Sequence, residues 1–182
     1  LNVFVVDGIS NDGTREILED IKSNYLNLEV VDNHKKLTPY AFNLGINSAS
    51  SVDYVQIIGA RHYVSKDYIH KCIQILESKK NVWCVGGKII NQFVNKESEV
   101  ISLAMSSKFG MGCGNFRTLI KSGITDTVTS PMYPYWVFDK IGLFDENLVR
   151  NQDDDFNFRI INAGGNIFYE DSIYLNYFVR SS

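Results

Sequence analysis

The chain has 182 residues, 45% hydrophobic and 21% charged, a balance that excludes intrinsic disorder, a collagen-like fibre and a disulfide-stapled miniprotein and fits one globular domain. Its 18 Lys and Arg against 21 Asp and Glu leave a net charge of −3 and no long basic run, so nucleic acid is not an expected partner. No stretch reaches the ~20 apolar residues of a membrane span.

Short runs rich in β-branched residues alternate with amphipathic stretches of helical length, which predicts an α/β fold with a mostly parallel sheet flanked by helices. Residues 3–6 form the first strand; it opens through the polar turn 7–13 into a helix with Ile17, Leu18, Ile21 and Tyr25 on one face. Residues 28–31 are the next strand. After the loop 32–37, Thr38-Pro39 reads as an N-cap with Pro at the first position of a helix over 40–48. Residues 54–58 are a third strand, 66–78 a helix, and 82–90 a strand bent at Gly86-Gly87. Further on, the sequence predicts a helix over 97–108, a glycine-rich stretch 109–117 and an extended piece 125–129. A helix over 153–163, ended by Gly164-Gly165, precedes strands over 166–169 and 173–178.

Cys72, Cys84 and Cys113 are odd in number and lack C-x-x-C spacing, which points to a reducing compartment; the first two read as small core residues. Leu1 leads directly into a strand, so the sequence reads as part of a longer protein.

Two constellations carry chemistry. Val5-Val6-Asp7-Gly8-Ile9-Ser10-Asn11-Asp12-Gly13-Thr14 is a strand end opening into a helix, where open α/β sheets bind ligands. Asp7 there can accept from a base N–H or a ribose hydroxyl; the same residues also suit a plain strand-to-helix turn capped by Asp12. The glycines do not form G-x-G-x-x-G. In Gln152-Asp153-Asp154-Asp155-Phe156-Asn157-Phe158-Arg159, mutual repulsion raises carboxylate pKa values while the helix N-terminus lowers them. A carboxylate balanced between the two can act as a general base. Asp153 reads equally as an N-cap, and Asp155, four residues before Arg159, as an ion-pair partner. Trp136 reads either as core or as a stacking surface for a sugar.

Together these segments resemble the nucleotide-sugar-dependent glycosyltransferases of family 2, with the GT-A fold, in the branch linked to bacterial exopolysaccharide and succinoglycan synthesis. The 5–14 segment is similar to the family's V-V-D-[DG]-x-S-x-D-G-T turn, and Ala41-Phe42-Asn43-Leu44-Gly45-Ile46 to its A-x-N-x-G-I helix. Ile141-Gly142-Leu143-Phe144-Asp145-Glu146 is similar to I-G-x-F-D-E, and 152–159 to [EQ]-D-x-[DE]-x-x-x-R. The resemblance covers essentially the whole chain. It implies one domain over 1–182 with a nucleotide-sugar half (1–92) and an acceptor half (93–182), and it implies a first strand and helix before Leu1.

The same resemblance implies roles. Asp7 would read the base with Gly8 and Ser10 beside it, the Lys35-Lys36 loop would touch the nucleotide, and Asp153 would be the base of an inverting transfer. Apart from the resemblance, Trp136, Gln152 and Asp155 are read as acceptor-side candidates, and the stretch 109–114 as a loop over that side. The implied partners are a nucleoside diphosphate sugar, with a UDP-sugar favoured, and a saccharide or lipid-linked acceptor. The work would take place in the cytoplasm, at the inner membrane face through segments outside this chain. Where the family carries D-x-D or D-A-H to hold Mg²⁺ or Mn²⁺, this sequence has Gly59-Ala60-Arg61. Neither Gly59 nor Arg61 offers a carboxylate to a hard cation, so no metal is assigned and Arg61 becomes the candidate to meet the diphosphate. Two other readings were weighed. One is a nucleotide-sugar-binding module without transfer. The other is a haloacid-dehalogenase-type hydrolase, disfavoured because Asp7 and Asp12 are five residues apart where that chemistry needs two.

Overall fold

The computed structural model describes residues 1–49, 51–106 and 119–179. The two runs that the sequence marks most clearly, β1 (Val3–Asp7) and β2 (Leu28–Asp32), pair in parallel with Asp7 opposite Asp32. They are joined through α1 (Thr14–Asn24), the crossover that a parallel pair requires. α2 (Thr38–Ser48) packs on β1; its N-cap is Leu37, one residue earlier than the Thr-Pro pair suggests. The apolar stripe of α1 is not buried: Ile17 is 62% and Tyr25 60% exposed.

A second sheet contains β3 (Tyr54–Gln56), β4 (His62–Val64), β5 (Val82–Gln92), β6 (Gly123–Thr125), β7 (Thr129–Pro134) and β8 (Asn166–Phe178). Its order is β3-β7-β5-β8-β4, with β6 also on β8. β5 and β8 run parallel and the other pairs antiparallel, so the sheet is mixed. Successive residues of its strands feed opposite faces, as the two-residue period of a strand dictates. Cys84, Tyr133, Ile167 and Tyr169 join a core with Ile46 of α2 and with α5 (Trp136–Ile141) and α6 (Gln152–Asn162). Val85, Met132, Ile173 and Leu175 join a second core with Tyr68, Cys72 and Leu76 of α3 (Tyr68–Ser78). Both described cysteines are buried and unpaired, as core residues; Cys113 lies outside the described residues. α4 (Lys96–Ser106) packs on β5, and the glycine-rich stretch beyond it is also outside them.

Two irregularities shape the sheet. β5 bends at Gly86-Gly87 as its sequence predicts, because a Cβ on Gly86 would stand 2.6 Å from Val128 Cβ and one on Gly87 2.6 Å from the Ile173 carbonyl. β7 is central despite two prolines. The β5–β7 register shifts between Met132 and Thr129, so Pro131 falls in a bulge where no ladder N–H is needed. Ser130 takes the left-handed conformation there, at φ 44°. The break predicted between 169 and 173 is a register shift within one strand: Gly87 pairs with Glu170 and Lys88 with Tyr174.

Candidate active site

β1 ends on Asp7, which is 7% exposed. Its Oδ1 accepts from the Ser10 hydroxyl at 2.6 Å and its Oδ2 from the Ser10 amide at 2.9 Å. Arg15, in the first turn of α1, reaches Asp7 Oδ2 at 3.1 Å and Asp32 Oδ1 at 2.7 Å, clamping the ends of both strands. The Ser10 hydroxyl first, then the Ser10 amide and Arg15, hold the Asp7 carboxyl below its ordinary value against the opposing effect of burial. Asp7 is therefore an ionised acceptor. Asp12 is not the cap of α1, whose N-cap is Gly13 in the left-handed conformation; one residue earlier, it accepts from the Thr14 amide at 3.2 Å and hydroxyl at 2.7 Å and so ties the turn to the start of the helix.

The loop after β2 folds around buried Asn33, whose amide donates to the Asp7 carbonyl at 2.7 Å and whose Oδ1 accepts the Lys36 amide at 3.0 Å. Lys36 sits at φ 55° and its stem borders Gly8. Lys35 turns the other way, 3.6 Å from Glu146 and over the Tyr40 ring.

Past β3, the Gly59 carbonyl accepts the His62 amide at 2.8 Å in a tight turn. A Cβ on Gly59 would come 3.3 Å from His62 Nδ1, so an acid at 59 would need the imidazole to move. His62 Nδ1 lies 2.7 Å from Ser130 Oγ. The Ser130 carbonyl in turn accepts from Gln56 Nε2 at 2.6 Å and the Tyr68 hydroxyl at 3.0 Å, bonds that hold the strained bulge in place. Arg61 lies over the Tyr177 ring, and its NH1 nitrogen is buried without a hydrogen-bond partner. A glycine and a guanidinium do not form a metal site, and among the described residues no group of three or more His, Cys, Asp or Glu gathers that could hold an ion.

Asp153 stands in the first turn of α6, whose N-cap is Asn151, so the capping reading of Asp153 fails. Its carboxylate makes no hydrogen bond or ion pair with the described residues. Asp154 beside it is pushed up, by partial desolvation first and by the Asp153 charge second. Asp155 is engaged instead: Oδ2 takes Arg159 Nε and NH2, each at 2.9 Å. Arg159 also donates to the carbonyls of Ile141 at 2.8 Å and Leu143 at 2.9 Å. Asp155 is thus a brace of the 141–146 segment, the ion-pair role that its spacing from Arg159 suggested.

Asn43 braces the same segment from α2. Its Nδ2 donates to the Phe144 carbonyl at 2.9 Å and to Glu146 at 3.0 Å, and its Oδ1 accepts the Phe144 amide at 3.0 Å. Three of the quoted segments are therefore one interlocked frame. The frame and the 59–62 turn enclose a cavity of about 210 Å³ with Gly59, His62, Ser130, Gln152 and Asp153 on its wall. Arg61 adjoins this wall without lining it. Trp136 is not brought here. It meets Trp83 edge-on at 5.0 Å, beside Tyr54 and Pro134, at the opposite end of β3 and β7 from Gly59 and Ser130. Arg15, Asp32, Glu146 and Ser130 are the polar residues that sequence reasoning missed. The one available signal was an arginine just after the Asp7 turn, within reach of two strand-end acids.

A model of the family described as glycosyl transferase family 2 matches residues 1–131. The chain is 29% identical, over 99% of its length and 58% of the other's, to the dolichyl N-acetyl-alpha-D-glucosaminyl phosphate 3-beta-D-2,3-diacetamido-2,3-dideoxy-beta-D-glucuronosyltransferase of Methanococcus voltae. It is 25% identical, over 98% of its length and 54% of the other's, to the succinoglycan biosynthesis protein ExoA of Rhizobium meliloti (strain 1021). The chain thus spans just over half the length of these relatives. Among solved structures it is similar to GalNAc-T7 with UDP, GalNAc and Mn²⁺, at TM-score 0.72 and 14% identity, covering 98% of this chain and 38% of that one. It is also similar to Staphylococcus aureus TarS 1-349, at TM-score 0.65 and 17% identity, covering 95% and 50%. These neighbours share the GT-A fold.

Proposed function

Because the chain belongs to glycosyl transferase family 2, we propose that its protein moves a sugar from a nucleoside diphosphate donor to a saccharide or lipid-linked acceptor, with inversion at the anomeric carbon. The observation that carries the reading is Asp153, an exposed carboxylate without a bonding partner among the described residues, on the rim of a cavity framed by the quoted segments. Asp153 takes the proton of the acceptor hydroxyl. That oxygen bonds to the anomeric carbon as the bond from carbon to the diphosphate breaks on the opposite face, releasing the nucleoside diphosphate. Asp7, held ionised by Ser10 and Arg15, accepts an imino N–H, which favours uracil and a UDP-sugar. Gly8 and Ser10 shape that turn, the Lys36 stem borders it, and Lys35 would have to leave Glu146 to reach the nucleotide.

No step runs through a metal. Arg61 meets the developing charge on the diphosphate instead: its buried, unpartnered NH1 is a donor that an incoming phosphate oxygen would satisfy. Gln152 meets the acceptor next to Asp153. The Methanococcus relative is named for transfer to a dolichyl N-acetylglucosaminyl phosphate, which favours a lipid-linked acceptor. With it, we place the work at the inner face of the cell membrane.

The test is transfer by the full-length protein across UDP-, GDP- and dTDP-sugars, with EDTA and with added Mn²⁺. Turnover should persist in EDTA and fall by about 10²-fold or more in Arg61→Ala, with part retained in Arg61→Lys. Strong activation by Mn²⁺ would refute the role of Arg61. Binding of sugar nucleotides without any release of diphosphate would favour the module that binds and does not transfer.

A further inference from the structure

The cavity beside Asp153 has a mixed lining. Its apolar part is Phe42, Ile57, Val128, Pro131 and Phe144. Two of these are fixed by the core, since Phe144 stacks on Phe156 at 4.3 Å between centroids and meets Phe42 at 5.0 Å. Phe144 is 4% exposed and Val128 8%. Its polar part is Thr129, Gln152, Asp153 and the mutually bonded His62 and Ser130, and the Gln152 carboxamide has no partner among the described residues.

At about 210 Å³ the cavity lies below the ~300–1,000 Å³ of sites that enclose a drug-sized ligand. It therefore admits one sugar ring or a substituent of one. A hydroxyl driven against the Phe42, Val128 and Phe144 wall would lose its water without gaining a partner. A small apolar group would be favoured there. The Gln152 carboxamide on the same lining both donates and accepts, as an amide substituent requires.

We propose that the sugar seated beside Asp153 carries an acetamido group, with its methyl against the apolar wall of Phe42, Val128 and Phe144 and its amide at Gln152. This rests on the transferase reading and adds the substrate class to it. The ring could belong to the donor or to the acceptor, and the recognition chemistry is the same for both.

The experiment uses the full-length protein. For the donor, UDP-N-acetylglucosamine and UDP-N-acetylgalactosamine are compared with UDP-glucose and UDP-galactose by calorimetry. For the acceptor, the methyl glycosides of the same four sugars are compared by saturation-transfer NMR in the presence of UDP. In at least one arm the acetylated sugar should bind about 10-fold or more tightly than its hydroxyl counterpart, the range that one small apolar group controls. Its acetyl methyl should be the most strongly saturated proton group. Val128→Leu, which narrows the recess, should shrink the ratio of affinities between each acetylated sugar and its hydroxyl counterpart towards one. The saturation map of the unaltered protein decides the matter should that variant melt early. Equal affinities in both arms, with sugar nucleotides still bound, would overturn this inference and leave the transferase reading standing. Absence of binding by every probe would overturn both.

Discussion

Replacing Asn43 by alanine should cost far more stability than a polar residue of α2 usually carries. Asn43 is 5% exposed, and its carboxamide satisfies both the amide and the carbonyl of Phe144 at 3.0 and 2.9 Å. Phe144 is itself buried, so water cannot replace the lost partner without opening the core around Phe42 and Phe156. Two buried backbone groups left unsatisfied at about 1–3 kcal/mol each give a loss of roughly 2–6 kcal/mol. For a chain of this size, at about 2–4 °C per kcal/mol, that corresponds to a fall in melting temperature of about 4–24 °C. Asn43→Asp should be at least as damaging, because it removes both donated bonds and sets a second carboxylate against Glu146. Urea unfolding followed by circular dichroism measures both variants. A loss below about 0.5 kcal/mol in Asn43→Ala, the level of an ordinary surface change, would refute the idea that this side chain holds the 141–146 segment in place.

Asp153→Asn should lower the transfer rate by about 10²–10⁴-fold with an unchanged melting temperature, because no described residue depends on its carboxylate; an equal loss of both in a melt and rate assay would make Asp153 structural. Asp155→Asn should do the reverse, lowering the melting temperature through Arg159 while transfer below that temperature is largely retained. Arg15→Ala should destabilise the protein at neutral pH, and its difference from the unaltered protein should shrink as the pH falls below the ordinary 3.8 of Asp7. The sign follows from the lowered Asp7 pKa: that carboxylate stabilises the fold above its unfolded value, and the contribution is lost on acidification. A difference constant from pH 7 down to about pH 3 in urea titrations would show that Arg15 acts by packing alone.

The strands most legible in sequence were those with the densest β-branched runs, β1, β2 and β5, together with the Gly86-Gly87 bend. β7 was hidden by Pro131 and Pro134, which argue against a central strand until the bulge at Ser130 is seen to remove the need for a ladder N–H. β3 was read too long. β4 and α5 were missed, because a three-residue strand and a helix of under two turns carry too few alternations to declare a period. In the site, segments 5–14, 41–46, 141–146 and 152–159 were visible as segments, but the division of labour among their polar residues was not. Asp153 and Asp155 look alike in sequence; the difference between them is that Arg159 reaches one and not the other. Asn43 reads as a helix residue with no assigned work, since its partner Phe144 is 101 positions away. Trp136 illustrates the opposite case: its residue type suited either core or a sugar, and its place at the start of α5, just after the Tyr54–Pro134 pair, sets it against Trp83 and away from Asp153.

Among the described residues the small sheet of β1 and β2 shares no ladder hydrogen bond with the large one, and α1 beside it has no buried residue. Such a region opens at lower free energy than the two cores. Amide protons along β1 should therefore exchange earlier than those of β5. A nucleotide held at Asp7 would slow that exchange selectively, so base recognition would be felt as tightening of one lobe and not as a shift of the whole molecule.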